Sequence, residues 1–174
     1  MNITKIKYII TIERKGNSMG KIISWQEYFM GLAHLSALRS KDPNTQVGAC
    51  IVDEDNKVVS IGYNGMPRGC NDADMPWERE GGFKETKYAY VVHAELNAIL
   101  NSPRSLKNTI LYVSLFPCNE CAKAIIQSGI KKVYYESDKY NGTDGNVVSK
   151  KVLDAAGVKY EQLPFELEVN INKK

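Results

Sequence analysis

Two short segments carry residues suited to metal chemistry. His93-Ala94-Glu95 opens one run of helical periodicity, and Pro117-Cys118-Asn119-Glu120-Cys121 opens another. Cys118 and Cys121 are three residues apart at a helix start, so both sulfurs lie on one face. Pro117 suits the turn into that helix, and the positive end of the helix dipole favours thiolates there. Two thiolates at this spacing can hold one Zn²⁺ at about 2.3 Å each. His93 is the other strong ligand candidate, because the remaining histidine, His34, belongs to a separate helix. One His and two Cys make three protein ligands. Catalytic zinc keeps three and leaves a position for water, whereas structural zinc closes with four. Cys50 falls inside a strand, which leaves Cys70, on a long loop, as the residue that could close the site.

Glu95 adds acid–base chemistry. Residues at i and i+2 diverge within a helix, but a metal lying off the helix end can approach both. His93 would hold the ion while Glu95 reaches its water, whose pKa zinc lowers from about 15.7 toward 7. Glu95 could then pass a proton to a leaving ammonia. A bare C-x-x-C reads equally as a redox pair or half of a structural zinc site, and a lone H-x-E carries little signal. Together and in this order they match the H-x-E…P-C-x-x-C pattern of zinc nucleobase deaminases.

The elements that must position these residues follow from periodicity. Ser24 and Glu27 form a capping box, and Trp25, Phe29, Leu32, Ala33 and Ser36 share one helical face, ending at Asp42-Pro43-Asn44. Val47–Asp53 and Lys57–Tyr63 read as a hairpin. Asn64 to about Tyr90 is long, irregular and rich in Gly and Pro, which marks it as functional or disordered. Beyond it, helices over His93–Asn101, Cys118–Ser128 and Asn146–Ala156 alternate with strands over Thr109–Ser114, Lys132–Glu136 and Val158–Leu163. Gly129 and Gly157 close two of the helices. This alternation predicts a layered α/β domain with parallel pairing across the Cys118 helix. Residues 1–23 read as an extension, partly ordered, with a strand within Lys5–Arg14, a break at Gly16-Asn17-Ser18 and a second start at Met19. Residues 24–174 read as one domain.

Composition narrows the class. The chain has 174 residues, 43% hydrophobic and 25% charged, which excludes disorder and low-complexity scaffolds. Its net charge of +3 gives little support to a dedicated nucleic-acid binder. No apolar run approaches the ~20 residues of a membrane span, and no secretory signal is visible. The expectation is a soluble, cytoplasmic protein.

Longer runs carry a more specific resemblance. Arg39–Cys50, Gly62–Pro67, His93–Ile99, Leu115–Lys123 and Ser137–Tyr140 resemble the deoxycytidylate (dCMP) deaminase branch of the cytidine deaminase superfamily over roughly residues 24–165. The resemblance implies a three-layer α/β/α fold around a mixed five-stranded sheet. It implies hydrolysis of dCMP to dUMP and ammonia, supplying dUMP for thymidylate synthesis. One catalytic Zn²⁺ would be held by His93, Cys118 and Cys121, and Glu95 would protonate ring nitrogen 3 and then the leaving amine. Ala94 N–H would meet the ring carbonyl. Asn64 resembles the asparagine that contacts the sugar hydroxyl, although Asn64-Gly65 also reads as a turn. Arg39, Asn44, Thr45 and Tyr140 would serve the sugar and phosphate, while Lys139 points to solvent. Arg39 equally suits a solvated helix end. Many members are hexamers activated by dCTP and inhibited by dTTP, with a regulatory site near the loop that Gly65, Met66, Pro67, Arg68 and Gly69 occupy here. Arg68 is the candidate triphosphate contact, and Trp77 a candidate subunit contact or an ordinary core residue. The alternatives are a bifunctional dCMP/dCTP deaminase and a polynucleotide cytidine or adenosine deaminase. Glu95 argues against a structural zinc module.

Overall fold

The computed structural model describes residues 8–14 and 22–173. The breaker residues Gly16-Asn17-Ser18 and the second start at Met19 lie outside the described residues. The strand expected within Lys5–Arg14 is β1 (Tyr8–Arg14).

Helix α1 (Trp25–Ala37) begins at the expected capping box. Ser24 Oγ accepts from the Glu27 N–H at 3.2 Å, and the Glu27 carboxylate accepts from the Ser24 N–H at 2.8 Å. The helix stops short of Asp42-Pro43. Its last turn tightens instead, with Arg39 N–H donating to Ser36 O and Ser40 N–H to Ala37 O, the i→i+3 pattern common at helix ends.

The expected hairpin is β2 (Gly48–Val52) and β3 (Val58–Tyr63). After an irregular stretch come α2 (Ala94–Leu100), β4 (Ile110–Leu115) and α3 (Asn119–Ser128). Then follow β5 (Lys132–Ser137), α4 (Asp144–Ala155), β6 (Lys159–Gln162) and β7 (Leu167–Lys173). Gly129, at φ 83°, closes α3 in the left-handed conformation.

The main sheet has five strands in the order β3-β2-β4-β5-β6. The pairs β3/β2 and β2/β4 are antiparallel, and β4/β5 and β5/β6 are parallel, joined by α3 and α4 as crossovers. Alternation along the strands divides the core. Ala49, Ile51, Leu111, Val113 and Val133 face α2, α3 and α4, meeting Ala98, Ala122, Ile125 and Leu153. Cys50, Val52 and Tyr112 face the other way, onto Phe29, Met30 and Ala33 of α1. These are the three layers of an α/β/α sandwich.

A second, two-stranded antiparallel sheet pairs β1 with β7. Strand β7 was not anticipated, and Leu167 joins the core beneath α1. Among the described residues no helix is long and apolar enough to cross a membrane.

Candidate active site

The chemistry-bearing residues meet because two helix starts are fixed at the ends of β3 and β4, the two strands that flank β2. Strand β4 runs through Phe116 and Pro117 into the start of α3, where Cys118 is the N-cap. The start of α2 is tied to the end of β3. Gly65 N–H donates to Val92 O at 3.1 Å and Val92 N–H to Gly65 O at 2.9 Å, one residue before His93, the N-cap of α2.

His93 Nδ1 lies 3.4 Å from the sulfur of Cys118 and 3.4 Å from that of Cys121. The three ligand atoms all fall within 4.8 Å of one another. A tetrahedral Zn²⁺ with Zn–S about 2.3 Å and Zn–N about 2.05 Å would set S···N at about 3.6 Å. The donor set and its spacing therefore fit zinc. Among the described residues no fourth His, Cys, Asp or Glu joins this group. Cys70 is exposed and lies outside it.

The titration of these groups follows from the same geometry. Hydrogen bonds from Cys121 and His93 outweigh burial and bring the Cys118 thiol down to about 4. The bond to Cys118 lifts His93 to about 9, and Cys121 is held well above its ordinary value. Glu95 is 4% exposed, and burial pushes its carboxyl up. His93, Glu95 and Cys118 line a cavity of ≈ 310 Å³, large enough for a nucleoside-sized ligand.

Residues 23–137 match the family model described as the cytidine and deoxycytidylate deaminase zinc-binding region. The chain belongs to that deaminase family. It is 56% identical to human deoxycytidylate deaminase over 142 residues, covering 80% of each chain. It is also 56% identical to the probable deoxycytidylate deaminase of Drosophila melanogaster over 158 residues, covering 86% of this chain and 78% of the relative. Among solved structures it resembles the dCMP deaminase of cyanophage S-TIM5 in complex with dCMP and dUMP. The TM-score is 0.62 and the identity 31%, over 79% of this chain and 96% of that one. As a family member the chain is a hydrolytic deaminase.

Of the site residues expected from sequence, Thr45, Asn64, His93, Ala94, Glu95, Cys118 and Tyr140 line the deaminase cavity. Cys121 is buried behind it. Asn64 is held on both sides of its amide. Its Oδ1 accepts from the Val47 N–H at 2.8 Å, and its Nδ2 donates to Thr45 O at 2.9 Å. Tyr140 stands 39% exposed at the mouth. Arg39 is exposed outside the lining, and Asn44 turns its amide to Trp77 O at 3.2 Å. Trp77 itself is half-buried, its indole N–H on Asp72 O. Lys139, although exposed, reaches across the mouth to donate to Thr45 Oγ1 at 3.1 Å. The loop residues Met66, Pro67, Arg68 and Gly69 lie beyond β3, away from the cavity lining.

Sequence reasoning missed Asp42 and Lys87, which also line the cavity. Asp42 lies in a run already matched to the family, where it reads as a helix stop. Lys87 lies in the irregular stretch, where nothing local signals burial.

Proposed function

We propose that this deaminase hydrolyses dCMP to dUMP and ammonia, supplying dUMP for thymidylate synthesis. The observation that carries the reading is Glu95, a buried carboxyl beside a three-ligand zinc group that borders a nucleoside-sized cavity. The relatives' activity supports dCMP as the substrate. Zinc held by His93, Cys118 and Cys121 supplies an activated water when bound. Glu95 would accept one proton from the attacking water and pass it to ring nitrogen 3, then accept the proton of the new carbon-4 hydroxyl and pass it to the amine as the carbon–nitrogen bond breaks, so that ammonia leaves and the carboxylate is restored. A carboxyl whose pKa is raised by burial suits a group that must both accept and donate. Ala94 N–H, in the first turn of α2, is a donor that the helix itself leaves unused, and it meets the ring carbonyl. Asn64 faces the sugar. Thr45 and Tyr140 receive the phosphate at the mouth, with Asn44 shaping the same loop and Arg39 approaching from outside.

The same reading includes one zinc per chain, a catalytic domain over residues 24–174 preceded by an extension, a cytoplasmic location and a homo-hexamer. It also includes activation by dCTP and inhibition by dTTP at the Gly65–Gly69 loop, with Arg68 on the triphosphate. The open mouth at Tyr140 favours dCTP as a second substrate over a polynucleotide, given the weak net charge.

The test is ammonia release from dCMP, dCTP, deoxycytidine and a cytosine-containing oligonucleotide, with and without added dCTP or dTTP. Turnover of dCMP that rises with dCTP and falls with dTTP is expected. Turnover of dCTP supports the bifunctional reading, and an unchanged dCMP saturation curve removes the regulatory one. Activity confined to the oligonucleotide overturns the substrate assignment.

A further inference from the structure

Among the described residues that line the cavity, Lys87 is the only lysine or arginine. It comes from the irregular stretch that precedes α2 and is fixed by its backbone. Its N–H donates to Glu78 O at 3.0 Å, and its carbonyl accepts from Tyr90 at 3.0 Å and Val91 at 2.9 Å. Its Nζ lies 2.5 Å from Asp42 Oδ2, with the two side chains 8% and 1% exposed.

Asp42 is saturated. Its Oδ1 accepts from the N–H groups of Asn44 (2.8 Å) and Thr45 (3.1 Å), and its Oδ2 from Lys87 and from Asn64 Nδ2 (3.3 Å). Lys87 is not. An ammonium carries three donors; Asp42 is its one hydrogen-bond acceptor among the described residues, and the Tyr88 ring centroid lies 5.8 Å away. A buried donor left unmet is costly, and this one borders a cavity built to receive a ligand.

We propose that Lys87 contacts the substrate, donating a hydrogen bond to the sugar hydroxyl of the nucleotide, and that Asp42 is the residue that positions it. The inference rests on the substrate reading above. Asp42 already balances the charge of Lys87, so the pair offers hydrogen bonds rather than net charge, which suits a neutral hydroxyl. Asn64 donates to the same carboxylate, so the two side chains share one wall. A phosphate belongs at the exposed mouth, beside Tyr140 and Lys139.

The test compares the wild type with Lys87→Met and with Asp42→Asn/Lys87→Met, which leaves no buried carboxylate unpaired. Each is assayed on dCMP, on its 2′,3′-dideoxy analogue and on deoxycytidine. Lys87→Met should lower kcat/KM on dCMP by roughly ten- to a hundredfold, the span of one charge-assisted hydrogen bond. It should lose far less on the dideoxy analogue, and the double variant should show the same convergence. Equal losses on dCMP and the dideoxy analogue overturn the inference and leave the substrate reading intact. Losses that vanish only on deoxycytidine assign Lys87 to the phosphate and overturn the hydroxyl contact. A wild type inactive on dCMP overturns the substrate reading and this inference with it.

Discussion

Gly62 of β3 lies directly against Ala94 of α2: a Cβ on Gly62 would stand 2.4 Å from the Ala94 carbonyl oxygen and 2.4 Å from Ala98 N. Both are backbone atoms of the helix that begins at His93 and carries Glu95. The close approach of strand and helix thus sets the depth of the helix that bears Glu95.

Gly62→Ala must move α2, because neither neighbour can rotate away. Overpacking of this kind costs about 1–3 kcal/mol, and displacing His93 should weaken zinc binding as well. Gly65→Ala provides the contrast, since its Cβ would meet only Tyr63 Cε2 at 3.8 Å. Urea midpoints and zinc titrations of both variants should show loss in the first and little change in the second.

Glu95→Gln keeps the size of the side chain and removes its proton chemistry. Zinc content should remain at one ion per chain while turnover falls by about 10²–10⁴, the usual worth of a positioned general acid–base. Elemental analysis alongside a rate assay separates the two effects. A variant retaining both zinc and rate would contradict the assigned role.

The parts legible in the sequence were those with local causes. Ser24 and Glu27 announce α1 because a capping box is closed within four residues, and Gly129 ends α3 because its φ of 83° suits glycine. The grouping of His93, Cys118 and Cys121 was legible because few residue types can hold a metal and these three stand at two helix starts. Strand β7 carried a readable period-two pattern in Leu167, Val169 and Ile171, but its partner β1 lies at the other end of the chain. Lys87 had no local signal at all. Its burial depends on Asp42, 45 residues earlier, and only the folded chain brings the two together.

Chelated protein should contain one unusually reactive cysteine. The hydrogen bond between Cys118 and His93 lowers the thiol and raises the imidazole, which favours the thiolate–imidazolium form. An ordinary thiol ionises near about 8.5. Iodoacetamide at pH 6 should therefore label Cys118 in zinc-free protein, and not Cys121, whose thiol is held high. Zinc should protect Cys118. His93→Ala, which removes one of the bonds that stabilise the thiolate, should move labelling to higher pH, as mass-spectrometric peptide mapping would reveal.

The Asp42–Lys87 pair should govern the acid limb of stability. Burial opposes the charge on Asp42, but Lys87 and the N–H groups of Asn44 and Thr45 together outweigh it, so its folded pKa is lowered. The stabilisation is then fully present above the unfolded value of about 3.9. It is lost as pH falls through the folded value below that. Asp42→Asn should flatten the stability profile below the unfolded value of about 3.9, at the cost of a weaker partner for Lys87. Lys87→Met alone strands a carboxylate that is 1% exposed, and removing one partner of a buried pair costs about 3–5 kcal/mol. Asp42→Asn/Lys87→Met should recover part of that loss, because the amide oxygen can still accept from the N–H groups of Asn44 and Thr45 while its NH2 faces the Asn64 amide nitrogen. Urea unfolding of all four proteins at several pH values forms a double-mutant cycle. Additive losses would mean that the two side chains do not act as a pair.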